Sequence, residues 1–455
     1  MGVIGSDQKS SALVLVCALV SLCFLLPNGS LAAGKAAAEI DSMDAIAEDF
    51  VNVGLRFQNH DPLPFIFLGP PAWREAARAD ASGLDVIIAQ LNSLQSRLAA
   101  LPLTASGEAE RRRRDLLARV VALTTRGQIL LGDFPASFNQ ETEQLFGVVA
   151  PTYSESHFRA LVAELDSLIP GEGDLPSRVA AFRDQFVIPP DKLESVIGRA
   201  MAECRARTLA YVELPAHENV ILNITQSMPW VGFTEYQGDG RSIVHLNSDV
   251  PVHIERAIEL GCHEGYPGHH VHATLLEQEI VKRRGWIEYA YIPLVGPLAV
   301  IAEGAASFAM NMAFTRDERL AFERDVLLPL AGLESTQLEI YYHYIDLVEA
   351  LNFARNEAAR KHLYQGLSRD EAERWLMMFG LETAGTAATR LNVIEAQRSY
   401  VVTYNHGREI VAGYLSSRST PGSADSWKDF VAILTTPLSP ADLVAASPDS
   451  GVKPP

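Results

Sequence analysis

Cysteine is scarce in this chain: there are four among 455 residues, and Cys17 and Cys23 both fall within the first 33 positions. Beyond them only Cys204 and Cys262 remain. Two cysteines permit one disulfide at most, which excludes a fold scaffolded by disulfides. Basic charge is also in deficit, with 38 Lys and Arg against 56 Asp and Glu and a formal net charge of −18. Such acidity disfavours nucleic acid and anionic membranes as partners and favours solubility. Repeats and low-complexity tracts are missing, apart from a Ser/Pro-rich tail after Ser439.

The N-terminus has what the rest lacks, a continuous apolar run. Lys9 precedes Ala12 to Leu26, Pro27 and Asn28 break the run, and small residues follow at Ser30, Ala32 and Ala33. Charged, apolar and small residues in that order predict a secretory signal peptide over residues 1–33, cleaved near Ala32 or Ala33. The run is short for a membrane span. Leu22 before Cys23 fits a lipoprotein site poorly, so the expected product is soluble and secreted or periplasmic.

Residues 34–228 read mainly as helix. "GLDVIIAQLNSLQSRLAALP" and "SHFRALVAELDSLIP" carry apolar residues at three- and four-residue spacing and end at proline. The Pro189–Pro190 pair separates two further helices. With no cluster of catalytic residue types, this part is expected to form a wall or lid. The character changes near Pro229, so 229–455 is taken as a second region. "ENVILNIT" and "SIVHLNS" are β-branched runs bounded by turn residues and predict strands. Ser248 or Asp249 is expected to cap a helix that has Pro251 in its first turn and runs to Gly285. A second helix is predicted over Pro297 to Phe314, and helices again to about Ser416.

The predicted capped helix holds "CHEGYPGHHVHA", four of the chain's 12 histidines within ten positions. Imidazoles and a carboxylate at short spacing suit zinc. Yet Pro267 stands where H-E-x-x-H would place its second histidine. On a regular helix His269 lies about 120° from His263, and His270 is in phase but about 10.5 Å further along the axis. Pro267 has no N–H to give the carbonyl of His263 and clashes with it, and Gly268 beside it lets the backbone bulge. Two looped-out residues bring His269 to the usual position of the second ligand. His263 and His269 are therefore the expected metal ligands, with His270 as the alternative.

Between Tyr289 and Thr315 the one charged residue is Glu303. A solitary carboxylate in an apolar run is costly unless paired or bound to metal. A salt-bridged core glutamate and a tolerated glutamate in a membrane span are the competing explanations; Pro293, Gly296 and Pro297 argue against a span. Beside a histidine pair, Glu303 is the expected third ligand. Glu264, next to His263, is expected to face the water position of the site and act as general base. Cys262 reads as a small buried residue.

These residues resemble a known family. "HEGYPGHHVH", "EGAASFA" and "SYVVTYNHGREIVAGYL" are similar to segments of the bacterial domain-of-unknown-function 885 family, itself similar to the gluzincin zinc peptidases. The likeness spans Asn219 to Leu415 and includes Asn247. It implies a mainly α, zincin-like protein with a small β-sheet beside the active-site helix, one Zn2+ per chain, and hydrolysis of peptide bonds. Ala305 and Met310 stand where the family carries Trp and a second acid, and Pro-Gly-Gln is missing before Tyr404. The C-terminal segment offers Tyr404 and His406, then Tyr400, as donors to a transition-state oxyanion. Arg390, Arg398 and Arg408 are candidates for a substrate carboxylate. The expected activity is a secreted zinc metallopeptidase for short peptides. The alternatives are a non-catalytic zinc- or peptide-binding protein and a zinc hydrolase of other amides or esters.

Overall fold

Helices dominate because apolar residues recur at helical spacing between prolines and capping residues. The computed structural model describes residues 42–102, 107–226 and 232–447. The expected signal peptide lies outside them. Leu84–Ala100, Glu155–Leu168, Leu175–Asp184 and Leu193–Leu209 are helices, the last two separated at Pro189–Pro190 as the proline pair predicts. The expected Ser/Pro-rich tail begins with a short helix, Pro440–Ala445, closed by a reciprocal cap between Ser439 and Asp442.

Two small sheets accompany the helices among the described residues. β1 (Phe65–Phe67) pairs antiparallel with β5 (Tyr291–Pro293). Sequence reading missed both, because three residues carry too little periodicity. β2 (Asn219–Thr225) and β4 (Arg241–Asn247) match the predicted strands, and β2 therefore falls inside the stretch read as mainly helical. β3 (Gly232–Gly238) was not foreseen. It runs antiparallel to β4, while β2 runs parallel to β4 on its other side, giving the order β2-β4-β3.

The first histidine helix begins at Glu255, not at Pro251, and its N-cap position is Ile254 rather than Ser248 or Asp249. Here backbone pairing outcompetes helix initiation. Ile188 donates to the Val252 carbonyl at 2.9 Å and Ile254 to that of Phe186 at 2.9 Å, so residues 252–254 are held against 186–188. The helix continues as a π-helical turn, Gly261–Gly265, and breaks; a second histidine helix, His269–Leu275, extends through Leu276–Arg283. The glutamate helix is Pro297–Ala313 and the tyrosine helix Val402–Ser416. No single described helix is long and apolar enough to cross a membrane.

Glycines bring the site-bearing helices close. A Cβ on Gly304 would lie 2.5 Å from the carbonyl carbon of Gly407, so the glutamate and tyrosine helices touch backbone to backbone. A Cβ on Gly261 would lie 2.9 Å from the Met201 nitrogen, so the first histidine helix seats equally closely on Leu193–Leu209. A disulfide between Cys204 and Cys262 fastens those two elements, with Cα atoms 5.5 Å apart. Cys262 is thus buried as expected but bonded.

Candidate metal centre

The break between the histidine helices is built from three residues. Tyr266 leaves the π-helical turn in an extended conformation, and the Tyr266–Pro267 peptide is cis. Gly268 then donates to the Cys262 carbonyl at 2.9 Å, folding the chain back on the first helix. A Cβ at Gly268 would lie 1.9 Å from the carbonyl oxygen of His263, so only glycine fits there. The break is wider than the expected bulge of two residues, and a new helix starts at His269.

Across this break the imidazoles of His263 and His269 meet at right angles, with ring centroids 4.7 Å apart. Glu303, from the glutamate helix, completes the group. Its Oε2 lies 3.6 Å from Nε2 of His263 and 3.6 Å from Nε2 of His269, and the three ligand atoms all lie within 4.8 Å of one another. At 3.6 Å these are not hydrogen bonds. Ligands about 2.1 Å from a tetrahedral zinc are separated by about 3.4 Å, so the spacing fits an ion between them. Glu303 Oε2 is buried and has no hydrogen-bond donor among the described residues. Burial opposes ionisation of Glu303, but His269 and His263 outweigh it and hold the carboxyl well below the usual carboxylate range. For His263, Glu303 and Glu264 overcome burial and push its pKa up to about 9. Such mutual charge stabilisation is what a dication between the same atoms replaces.

His270 lies elsewhere. Fully buried, it meets Ser242 Oγ through Nδ1 at 2.8 Å and Glu218 Oε2 through Nε2 at 3.1 Å, so both nitrogens are engaged. His272 is also buried, and burial, then the charge of His269, pulls its pKa down to about 4.

Glu264 is 6 % exposed and accepts a 2.8 Å hydrogen bond from Thr234 Oγ1, which also reaches the Glu264 carbonyl at 2.8 Å. Thr234 belongs to β3 and escaped the sequence reading. The alternation of Phe233, Thr234, Glu235 and Tyr236 between two glycines was the available signal. Tyr400, in the short turn Arg398–Val401, donates to Glu303 Oε1 at 2.6 Å. Tyr404 packs edge-on against Tyr400 at 5.6 Å. Tyr404 is partly exposed, yet burial and the charges of Glu303 and Glu264 push its phenol well above its ordinary value. A phenol with its pKa so raised stays protonated and can donate a hydrogen bond.

The remaining candidates are occupied by other partners. His406 Nδ1 faces Glu409 Oε2 at 3.3 Å, and no described contact brings it to the histidine pair. Arg398 binds the fully buried Glu141 at 2.6 Å. Arg390 shares Glu382 with Arg355, and Arg408 meets Glu349 and Asn311.

No protein-family model matches the chain, and no curated protein does. Solved structures do. A protein named as a lipoprotein from Colwellia psychrerythraea superposes with a TM-score of 0.50 at 14 % identity, over 80 % of this chain and 69 % of that one. The likeness is one of fold. An M32 carboxypeptidase from Deinococcus radiodurans R1 is similar at a TM-score of 0.44 and 13 % identity, over 88 % of this chain and 93 % of that one. The fold is mainly α, with its three-stranded sheet beside the histidine helices.

Proposed function

We propose that this chain is a secreted zinc metallopeptidase for short peptides, with His263, His269 and Glu303 holding one zinc ion and Glu264 as general base. One observation carries the reading: an ionised, buried carboxylate oxygen of Glu303 without a donor, set between two imidazole nitrogens. A buried carboxylate oxygen without a hydrogen bond is costly, and a cation between it and the two imidazole nitrogens removes that cost. The resemblance of "HEGYPGHHVH" and "EGAASFA" to the family named above supports the same assignment.

A zinc ion held there supplies Lewis acidity, polarising a carbonyl and making water nucleophilic near neutral pH. The residues do the rest. Glu264, held by Thr234, takes the proton of the attacking water and hands it to the leaving amine. Tyr404 donates a hydrogen bond to the oxyanion that develops at the scissile carbonyl. Tyr400 orients Glu303. His406 takes no part, since it is turned to Glu409. The helices before residue 228 act as wall or lid and restrict the cleft to short chains, and the leader over 1–33 directs secretion. Nucleic acid is no partner of so acidic a chain.

The buried, hydrogen-bonded Glu264 favours catalysis over mere binding, because a binding protein needs no base there. Mass spectrometry of a peptide library exposed to the zinc-loaded mature protein is the test. Hydrolysis is expected, together with a loss of about 10²-fold or more in Glu264→Gln at unchanged zinc content. Full zinc occupancy in His263→Ala, His269→Ala or Glu303→Ala sinks the metal assignment. Full zinc occupancy without peptide turnover in the wild type overturns the peptidase reading and leaves the binding protein and the hydrolase of other amides or esters.

A further inference from the structure

Glu218 stands immediately before β2, far in sequence from the two histidine helices, and its side chain is 2 % exposed. A carboxylate that deep is costly unless its lone pairs are filled. Three elements fill them. Arg205, from Leu193–Leu209, donates through Nε at 2.8 Å and Nη2 at 2.5 Å to Oε1. Tyr266 donates its hydroxyl to Oε2 at 2.5 Å, and His270 Nε2 reaches the same oxygen at 3.1 Å. The Tyr266 and His270 rings also pack against each other at 4.9 Å. Ser242 Oγ, on β4, closes the far side of His270 at 2.8 Å.

The position of those two residues gives the arrangement its meaning. Tyr266 is the first residue after the π-helical turn that carries His263, and His270 directly follows His269. Between them the chain has left the helix at Pro267 and Gly268, so no continuous run of helical hydrogen bonds sets the spacing of the two helices. One carboxylate oxygen binds both banks of the break. We propose that Glu218 is a positioning residue for the metal centre: by holding Tyr266 and His270 on a single oxygen, it sets the distance and angle between the imidazoles of His263 and His269. Burial disfavours its charge, yet His270, Tyr266 and Arg205 keep it ionised, with a pKa of about 2. The clamp therefore stays charged throughout the neutral range.

This inference rests on the zinc reading, and its test separates the two. Zinc affinity is measured on the full mature protein by competition with a chelator. The cobalt(II)-substituted protein adds a spectroscopic view of ligand geometry, and the melting temperature of the metal-free form reports folding. Glu218→Gln and Tyr266→Phe are each expected to weaken zinc by about 10–100-fold and to change the cobalt absorption bands. The double variant should lose less than the two losses combined, because both break the same link. Where Glu218→Gln does not fold, Tyr266→Phe, which keeps the ring and its packing, carries the test. Unchanged zinc affinity and cobalt spectra beside a lowered metal-free melting temperature overturn the proposal and leave Glu218 a fold-stabilising charge only. A wild type that takes up neither metal overturns the zinc reading itself and this inference with it.

Discussion

The Tyr400 hydroxyl donates a 2.6 Å hydrogen bond to Oε1 of Glu303, which leaves Oε2 to face both histidines. Burial, then the negative charge of Glu303, pushes the Tyr400 phenol well above its ordinary value, so it stays protonated and a donor. The Gly304–Gly407 contact brings the two helices close enough for this bond.

Tyr400→Phe removes that donor and keeps the ring. Zinc affinity is expected to fall about 10–100-fold, and the metal-free protein to lose about 1–3 kcal/mol from an unsatisfied buried oxygen. Chelator competition and denaturant titration check the two separately. Unchanged zinc affinity would remove Tyr400 from the site.

Gly268→Ala places a methyl 1.9 Å from the His263 carbonyl oxygen and 2.4 Å from that of Cys262. The break cannot close around it, so both zinc content and melting temperature should drop. Gly198→Ala is the control. It sits inside the helix Leu193–Leu209 with nothing within 4 Å, and there alanine should stabilise by about 0.5–1 kcal/mol.

The Cys204–Cys262 disulfide closes a loop of 58 residues. Loop-closure entropy for that length gives on the order of 4 kcal/mol, and native bridges typically contribute about 2–4 kcal/mol. Reduction should lower the thermal midpoint by several degrees, with thiol titration confirming two free cysteines. A midpoint unmoved after complete reduction contradicts this.

The folded-state pKa of Glu218 lies at about 2, below the ordinary 4.5. A depressed acid pKa stabilises above the unfolded value and loses its effect as pH falls through the folded one. The contribution, on the order of 3 kcal/mol, is present above pH 4.5 and lost between 4.5 and 2. Melting temperatures of the metal-free protein across that window should fall more steeply in wild type than in Glu218→Gln. Parallel curves would show that the carboxylate is not held as described.

Much of the fold is legible in the residues because its causes are local. Apolar spacing, capping residues and the Pro189–Pro190 break place helices without knowledge of what they touch. Glu303 is conspicuous for an equally local reason, a lone charge in an apolar stretch, and "HEGYPGHH" shows itself by composition. Other features depend on partners far along the chain. β1 finds β5 more than two hundred residues away, and the first histidine helix starts at Glu255 because residues 186–188 claim 252–254. The choice of His269 over His270 rested on an expected bulge at Pro267 and not on spacing alone, and His269 is the one that the fold brings to Glu303. Helical phase carries across a regular helix, but Pro267 and Gly268 erase it, and the second helix is then held at His270 by Glu218 and Ser242 from outside the histidine helices. The residue types were decided by the sequence; which of them meet was decided by packing, because that choice depends on distances between helices that no local pattern encodes.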